Sequence, residues 1–377
     1  MQDFTAHRLR FVAQVETPMS LDLYMGTGLR AAFFNALTGQ FCMNPAALHH
    51  GGCGGCALGV SCPVAYLVAT LNPDADRGEN VPRPMTIEPP LWLTEDGGWR
   101  TEDGEEEAGG GRQQAAGSRQ QAVGSRLRPA VGSQERVVER WSSVLRPPAV
   151  FEFGLTMFAR ALSLFPYVVL SLERMGQQGL GQRVAVNRGR RGAFWVREVV
   201  AENPVTGERQ AVLRAGNNLV TLPDVPVTHE QVCSLPVPPP GSRVRVEFLT
   251  PTHLKDGKRL VTHAPPFRVL FQRLMERLLA LSTAFSESPL DGDIKYEAIG
   301  LSDGVQRVAD RTRLIHLESP SSRLGGVTSI SGLVGYAVYE AADWAPFWPW
   351  LKWGELTHVG KNTVKGEGML RVLSEER

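Results

Sequence analysis

The sequence predicts an α+β fold in two tandem units, and three observations carry that reading. At 377 residues the chain is long enough for two domains. A polyproline stretch, Pro236-Val-Pro-Pro-Pro-Gly241, divides it, and such a stretch is stiff and continues neither a helix nor a central strand. On each side of that linker the pattern runs strand, helix, strands, helix, strand. This order resembles the split βαβ, or ferredoxin-like, unit. Residues 1–235 and 241–377 are therefore expected to form one such domain each.

The elements follow in order. Leu9, Phe11, Ala13 and Val15 alternate with Arg10, Val12, Gln14 and Glu16, the period of a half-buried strand, and Pro18 ends it. Residues 28–38 place Leu29, Ala32, Phe33, Ala36 and Leu37 on one helical face. Residues 42–62 hold four of the five cysteines among glycines, with little room for regular structure. Phe151, Phe153 and Leu155 alternate as a strand. Residues 161–175 read as a helix in which Pro166 is tolerable only in the first turn. Gly176, Gly179 and Gly181 close it and lead into a basic strand or hairpin with Arg183, Arg188, Arg190 and Arg191. In the second unit Val244, Val246 and Phe248 make a strand. Phe267, Leu270, Phe271, Leu274, Leu278, Leu281 and Phe285 make a well-phased helix. Strand-like runs at 311–318 and 327–339, a tryptophan-rich helix at 340–352 and a glycine-rich segment at 356–373 complete the chain.

Residues 95–148 interrupt the first unit. An acidic run from Glu95 to Glu107 precedes the near-repeats Arg112–Ser118, Arg119–Ser125 and Arg126–Ser133. So few apolar groups cannot bury a core, and the segment reads as a disordered insertion, a solvated tether.

Forty basic residues against 39 acidic leave a net charge of +1, so nucleic-acid affinity has to come from local patches. An odd number of cysteines argues against a secreted disulfide scaffold. The N-terminus has no signal-peptide apolar run, and no stretch reaches about 18 apolar residues. The expectation is a soluble cytoplasmic protein with no membrane partner.

Three features could carry chemistry. Cys42-x10-Cys53-x2-Cys56-x5-Cys62 supplies four soft ligands, and the CxxC pair lets two thiolates share one ion, so a small zinc module is expected. Its closed ligand set makes that zinc structural. His49 or His50 could replace one cysteine; free thiols and an iron–sulfur cluster are the alternatives. Cys233 stands alone as an ordinary thiol. The second feature is His358-Val-Gly-Lys-Asn-Thr-Val-Lys-Gly-Glu-Gly368, which is not a P-loop. Gly360, Gly366 and Gly368 let backbone approach a phosphate chain, and Lys361 and Lys365 bring charge. A hairpin rich in turn residues fits equally well. Third, no acidic cluster could hold two catalytic magnesium ions, so a nuclease built on this chain would have to cleave without metal. His7, His229, His263 and His316 read as structural or surface histidines.

Several of these segments together carry a family resemblance. They are the Leu9–Glu16 strand, Gly28-Leu-Arg-Ala-Ala-Phe-Phe34, the cysteines ending in Cys62-Pro-Val-Ala-Tyr66, and Gly179-Leu-Gly181 before an arginine-rich strand. Ile330-Ser-Gly-Leu-Val-Gly335, Trp353-Gly-Glu-Leu-Thr-His-Val-Gly-Lys-Asn-Thr363 and the final Gly-x-Gly follow in order. The chain resembles the CRISPR precursor-RNA-processing endoribonucleases (Cas-six, RAMP superfamily), in their cysteine-containing branch. The resemblance implies two tandem ferredoxin-like (RRM-like, RAMP) domains. It also implies metal-free cleavage of CRISPR repeat RNA by attack of a 2′-hydroxyl, giving a 2′,3′-cyclic phosphate and a 5′-hydroxyl. Catalysis would fall to His49 or His50, which follow the first helix rather than lie within it, with Tyr24 or Arg30 assisting. RNA binding would fall to Gly360, Lys361, Lys365, Gly366 and Gly368, with His358, Arg188, Arg190 and Arg191. Partners would be precursor and guide RNA and other CRISPR effector subunits. A non-catalytic RAMP subunit that holds guide RNA is the alternative.

Overall fold

The structure, a computed structural model, describes residues 1–22, 24–49, 53, 56–59, 61–69, 82–91, 142–217, 219–321 and 326–375. In the first half the strands are β1 (Thr5–Val15), β2 (Met19–Asp22), β3 (Met85–Glu88), β4 (Ser142–Leu145), β5 (Val150–Phe158), β6 (Leu180–Val184), β7 (Arg190–Gly192), β8 (Phe194–Glu202), β9 (Arg209–Arg214) and β10 (Val227–Thr228). The helices are α1 (Gly26–Phe41), α2 (Pro45–His49), α3 (Phe165–Gln178) and α4 (His229–Cys233). The second half has β11 (Arg243–Thr252), a small hairpin of β12 (Lys255–Asp256) and β13 (Arg259–Leu260), α5 (Phe267–Phe285) and α6 (Gly292–Leu301). It ends with β14 (Gln306–Ser321), β15 (Gly326–Glu340), α7 (Trp348–Thr357) and β16 (Leu370–Glu375).

Mixed α+β architecture with antiparallel sheets is observed. The main sheet of the first half is ordered β3-β5-β1-β8-β9, and that of the second half β14-β15-β11-β16. Counting β1, β3, β5 and β8 from one to four, and β11, β14, β15 and β16 likewise, both sheets share the spatial order two-three-one-four. A further sheet, β4-β2-β6-β7, stands beside the first.

β1 illustrates how the sequence sets this. Leu9, Phe11, Ala13 and Val15 are buried, and β5 and β8 flank them on either side. The other face carries a charge ladder across the strands. Arg8 pairs with Glu88 at 2.7 Å, and Arg10 pairs with Glu152 at 3.1 Å and Glu202 at 3.0 Å. The Arg10 pairs join neighbouring strands and support the register, while Arg8 reaches Glu88 across Gly154 of β5, where a Cβ would meet the Glu88 side chain.

The helices differ from expectation in places. α1 is longer than the 28–38 reading. α3 starts at Phe165, with Pro166 in its first turn, as the missing proline N–H demands. The tryptophan-rich helix begins at Trp348 rather than at residue 340, because β15 runs on to Glu340 and Pro349 needs a first-turn place. The insertion also ends earlier than read. Ser142–Leu145 is strand, paired antiparallel with Met19–Asp22, while residues 95–141 lie outside the described residues.

The two halves trade side chains across their junction. Phe4, Phe158, Val227 and Val232 join the core of the second half, where Phe4 packs on Trp353 with ring centroids 5.2 Å apart. Val227 and Val232 precede residue 235, so the end of the first sequence unit packs with the second. In return Val364 enters the core of the first half. Tyr24 inserts against Ile315, Leu317, Ile330 and Val334 of β14 and β15. A junction with an apolar core of this kind fixes domain orientation.

Arg8 and Glu88 lie at this junction, and Thr156 Oγ1 donates to Glu88 Oε1 at 3.3 Å. The Glu88 carboxylate holds the Arg8 guanidinium above its ordinary range. Glu88→Ala leaves that cation with its longer pairing to Glu202 at 3.9 Å and is expected to cost about 1–3 kcal/mol, read as a lower urea midpoint with unchanged slope.

Candidate functional site

The glycine-rich segment after α7 is the centre of the site. α7 ends at Thr357, whose carbonyl accepts from Arg277 Nε of α5 at 2.5 Å. His358 follows at φ 58°, and the chain then turns through Gly360, Asn362, Gly366 and Gly368, all at positive φ. Two of these glycines are required by close backbone approach. A Cβ on Gly368 would sit 1.8 Å from the Val359 carbonyl oxygen, and one on Gly366 would sit 2.7 Å from Pro89 Cδ. The loop owes its glycines to packing within the protein.

The loop is held from two sides. On one side the end of β11 straps it. Thr250 Oγ1 donates to the Gly366 carbonyl at 2.7 Å and accepts from Met369 N at 2.9 Å. Gly368 N donates to Pro251 O at 3.1 Å, and Lys361 N to His253 O at 3.3 Å. On the other side stands the first half. Tyr24 Oη donates to Lys365 O at 2.5 Å, and Thr86 Oγ1 to Leu356 O at 3.0 Å. A Cβ on Gly26, the first residue of α1, would sit 1.8 Å from Lys365 O.

Expected site residues fall into distinct places. His358 is 0 % exposed, and neither ring nitrogen has a hydrogen-bond partner among the described residues. Burial, with Arg277 and Arg8 nearby, pushes its imidazole down to about 3, so it is neutral at pH 7 and out of reach of RNA. Gly366 and Gly368 are buried and Gly360 is half-buried. Of this stretch Lys361 and Asn362 are exposed, and Lys365 is half-buried. Tyr24 is 8 % exposed with its hydroxyl engaged on Lys365, a structural duty rather than a catalytic one. Arg30 donates to Val68 O at 3.2 Å, beside Arg83 on the same carbonyl. His49 is the last residue of α2; His50 lies outside the described residues.

The basic hairpin matches expectation in its exposure. Arg188, Arg190 and Arg191 are exposed on β6, β7 and their turn. Gly181, at φ 80°, lets β6 approach the Ser20 carbonyl, and Asn187 Nδ2 donates to Pro18 O at 2.7 Å. The hairpin is therefore seated on β2, and β2 leads into Tyr24 and Gly26. One short stretch, Pro18–Gly26, thus touches both the arginine hairpin and the glycine-rich loop.

Cys42 closes α1, with its N–H donating to Thr38 O at 3.1 Å. Cys42, Cys53, Cys56 and Cys62 line one cleft with Phe41, Asn44 and Val64. Burial raises the Cys53 thiol, and Cys62, Cys42 and Cys56 add to that rise. Asn44 Nδ2 donates to Cys56 Sγ at 3.6 Å. As placed, no three metal-ligating side chains among the described residues could hold an ion, although the donor set itself suits zinc.

The residues that sequence reading missed are Thr250, Thr252 and His253, the strap under the loop. Their signal was weak: Thr250-Pro-Thr-His253 ends a strand, and nothing local tells that its polar atoms face a segment more than 100 positions away.

The family model described as CRISPR-associated endoribonuclease Cas6 matches residues 246–370. A second model, described as an N-terminal domain, matches residues 4–108 and 114–225. The likeness to the CRISPR-associated endoribonuclease Cas6 family model thus covers residues 246–370 of this chain. No curated protein matches it. Among solved structures, a partial Cas6-RT-Cas1–Cas2 complex aligns at 8 % identity and a TM-score of 0.51, over 99 % of this chain and 47 % of that one. Thermus thermophilus Cas6 aligns at 14 % identity and 0.48, over 98 % and 99 %. A Cas6 product complex aligns at 15 % and 0.42, over 99 % and 100 %. The first of these shows a shared fold. Among the described residues no helix is long and apolar enough to cross a membrane.

Glu367 offers a test of the loop. It is 1 % exposed and its Oε1 has no hydrogen-bond partner among the described residues. Burial raises its carboxyl to about 7, against the pull of Asn362, Lys365 and Lys361. The unfolded chain releases this proton near the ordinary value of 4.5 and the folded chain near 7, so stability is lost as pH rises between the two. Glu367→Gln removes that loss. Its advantage over the wild type is expected to widen by about 3 kcal/mol between pH 4.5 and 8, measured by urea denaturation at each pH.

Proposed function

We propose that this chain cuts CRISPR precursor RNA once within each repeat, without a catalytic metal, by attack of a ribose 2′-hydroxyl on the adjacent phosphate. The products are a 2′,3′-cyclic phosphate and a 5′-hydroxyl. The observation that carries this reading, beside the likeness to the Cas6 family model, is that Pro18–Gly26 seats both the arginine hairpin and the loop bearing Lys361. One RNA backbone crossing this stretch would meet positive charge from both halves. The shared strand order supports reading both halves as ferredoxin-like units.

The chemistry needs a base for the 2′-hydroxyl, an acid for the leaving oxygen and a cation for the charge on the phosphorane. His49 and His50 are the candidates for proton transfer, since they follow α1, where the resemblance places a catalytic histidine. Lys361 and Lys365 are the candidates for the cation. Cleavage of RNA alone follows from the requirement for a 2′-hydroxyl. A structural zinc, drawing Cys42, Cys53, Cys56 and Cys62 together, would anchor the segment that carries these histidines. Delivery of guide RNA to other CRISPR subunits belongs to the same reading.

The test is incubation with the CRISPR repeat RNA of its own genome in EDTA, beside a copy with one 2′-deoxy sugar at the cut. A single cut that the deoxy sugar blocks is expected; tight binding with no cut points to a guide-holding subunit instead. The double variant His49→Ala/His50→Ala is expected to lose cutting and keep binding, and normal cutting by it would remove the histidines from the mechanism. Metal analysis is expected to find about one zinc per chain. Cys53→Ser/Cys56→Ser is expected to release it and to melt at lower temperature.

A further inference from the structure

We infer that His253 is the positioning residue for Lys361, tying the exposed lysine of the glycine-rich loop to the β14–β15 hairpin. The inference rests on the RNA-processing reading above. His253 lies just past β11, outside the loop. Its ring Nδ1 meets the Ser331 carbonyl of β15 at 2.9 Å. A carbonyl only accepts, so Nδ1 carries the proton and the tautomer is fixed. Its own carbonyl accepts from Lys361 N at 3.3 Å. Gly360 stands at φ 85°, and a Cβ there would sit 2.5 Å from the same carbonyl oxygen. One residue thus grips β15 with its side chain and the base of Lys361 with its backbone.

A direct role is disfavoured by charge. Burial, with Lys361 and Lys255 close by, holds the imidazole below its ordinary range, against the opposing pull of its bond to Ser331. A neutral ring is no phosphate cation. Nε2 is shielded from solvent and has no hydrogen-bond partner among the described residues. His253 therefore acts on RNA through Lys361, whose side chain is exposed. The hairpin adds a second grip, since a Cβ on Gly332 would sit 2.5 Å from Thr252 N. His316 reaches the same serine, Nδ1 to Oγ at 2.9 Å. The position of β15 is thereby passed to the loop.

Two variants separate the two nitrogens. In His253→Asn the side-chain amide N–H takes the place of Nδ1–H and can still reach Ser331. In His253→Gln it takes the place of Nε2. Binding of repeat RNA is measured across a salt series for the wild type, both variants, Lys361→Ala and His253→Gln/Lys361→Ala. Lys361→Ala is expected to weaken binding and lower the salt slope by about 0.7–0.9. His253→Gln is expected to weaken binding by about threefold to tenfold, His253→Asn to bind as the wild type does, and the double variant to bind no worse than Lys361→Ala. Wild-type binding by His253→Gln, or additive losses in the double variant, would overturn the inference. Salt-insensitive binding by the wild type would instead sink the RNA reading beneath it.

Discussion

The architecture of the site depends on one backbone approach, Gly26 at the start of α1 against the carbonyl of Lys365. The distance leaves no room for a side chain. Because α1 begins there, the loop can lie flat on the first half, Val364 can enter its core and Tyr24 can close over the top. Tyr24 completes the seam by spending its hydroxyl proton on the same carbonyl while its ring packs among β14 and β15 residues.

That seam buries polar atoms at a cost. Among the described residues the His358 ring nitrogens and Glu367 Oε1 have no hydrogen-bond partner, and the Arg277 guanidinium is held down to about 9 by burial. Each buried, unpaired polar atom costs about 1–3 kcal/mol. The compensation is apolar. Trp353, Phe4, Phe158, Leu356 and Val364 are all buried at or beside the seam, and each such side chain is worth about 1.5–3 kcal/mol. The loop is thus held by packing around it while its own polar groups are kept neutral.

Much of the fold was legible in the sequence, and the reason is period. β1 and α5 face a core on one side, so their apolar residues repeat at two and at three-to-four positions. β2, β3 and β4 are four residues each, too short for a period to show, and they were missed. The start of α7 was displaced because apolar tryptophans look alike in the turn and in the helix. The site was less legible. Gly360, Gly366 and Gly368 were read as room for a phosphate, yet their neighbours are the protein's own carbonyls and Pro89. A glycine reports that something passes close by, not what it is. Arg188, Arg190 and Arg191 were read correctly as a basic hairpin because charge without apolar partners stays outside. His253 was invisible because its partners, Ser331 and Lys361, come from later strands and turns.

The two outer strands β3 and β4 have a consequence of their own. β3 is the outermost strand of one sheet, and β4, the next described strand in the chain, is the outermost of another. Among the described residues, neither strand has a neighbour on its free side that a longer or shorter connection would displace. Closing a loop costs only about 0.6 kcal/mol for each doubling of its length. The connection can therefore lengthen, shorten or change composition between related chains with no register shifted in either sheet. Comparisons of overall length would mislead here, whereas Pro18 and Gly26 are both pinned, one by Asn187 and the other against Lys365.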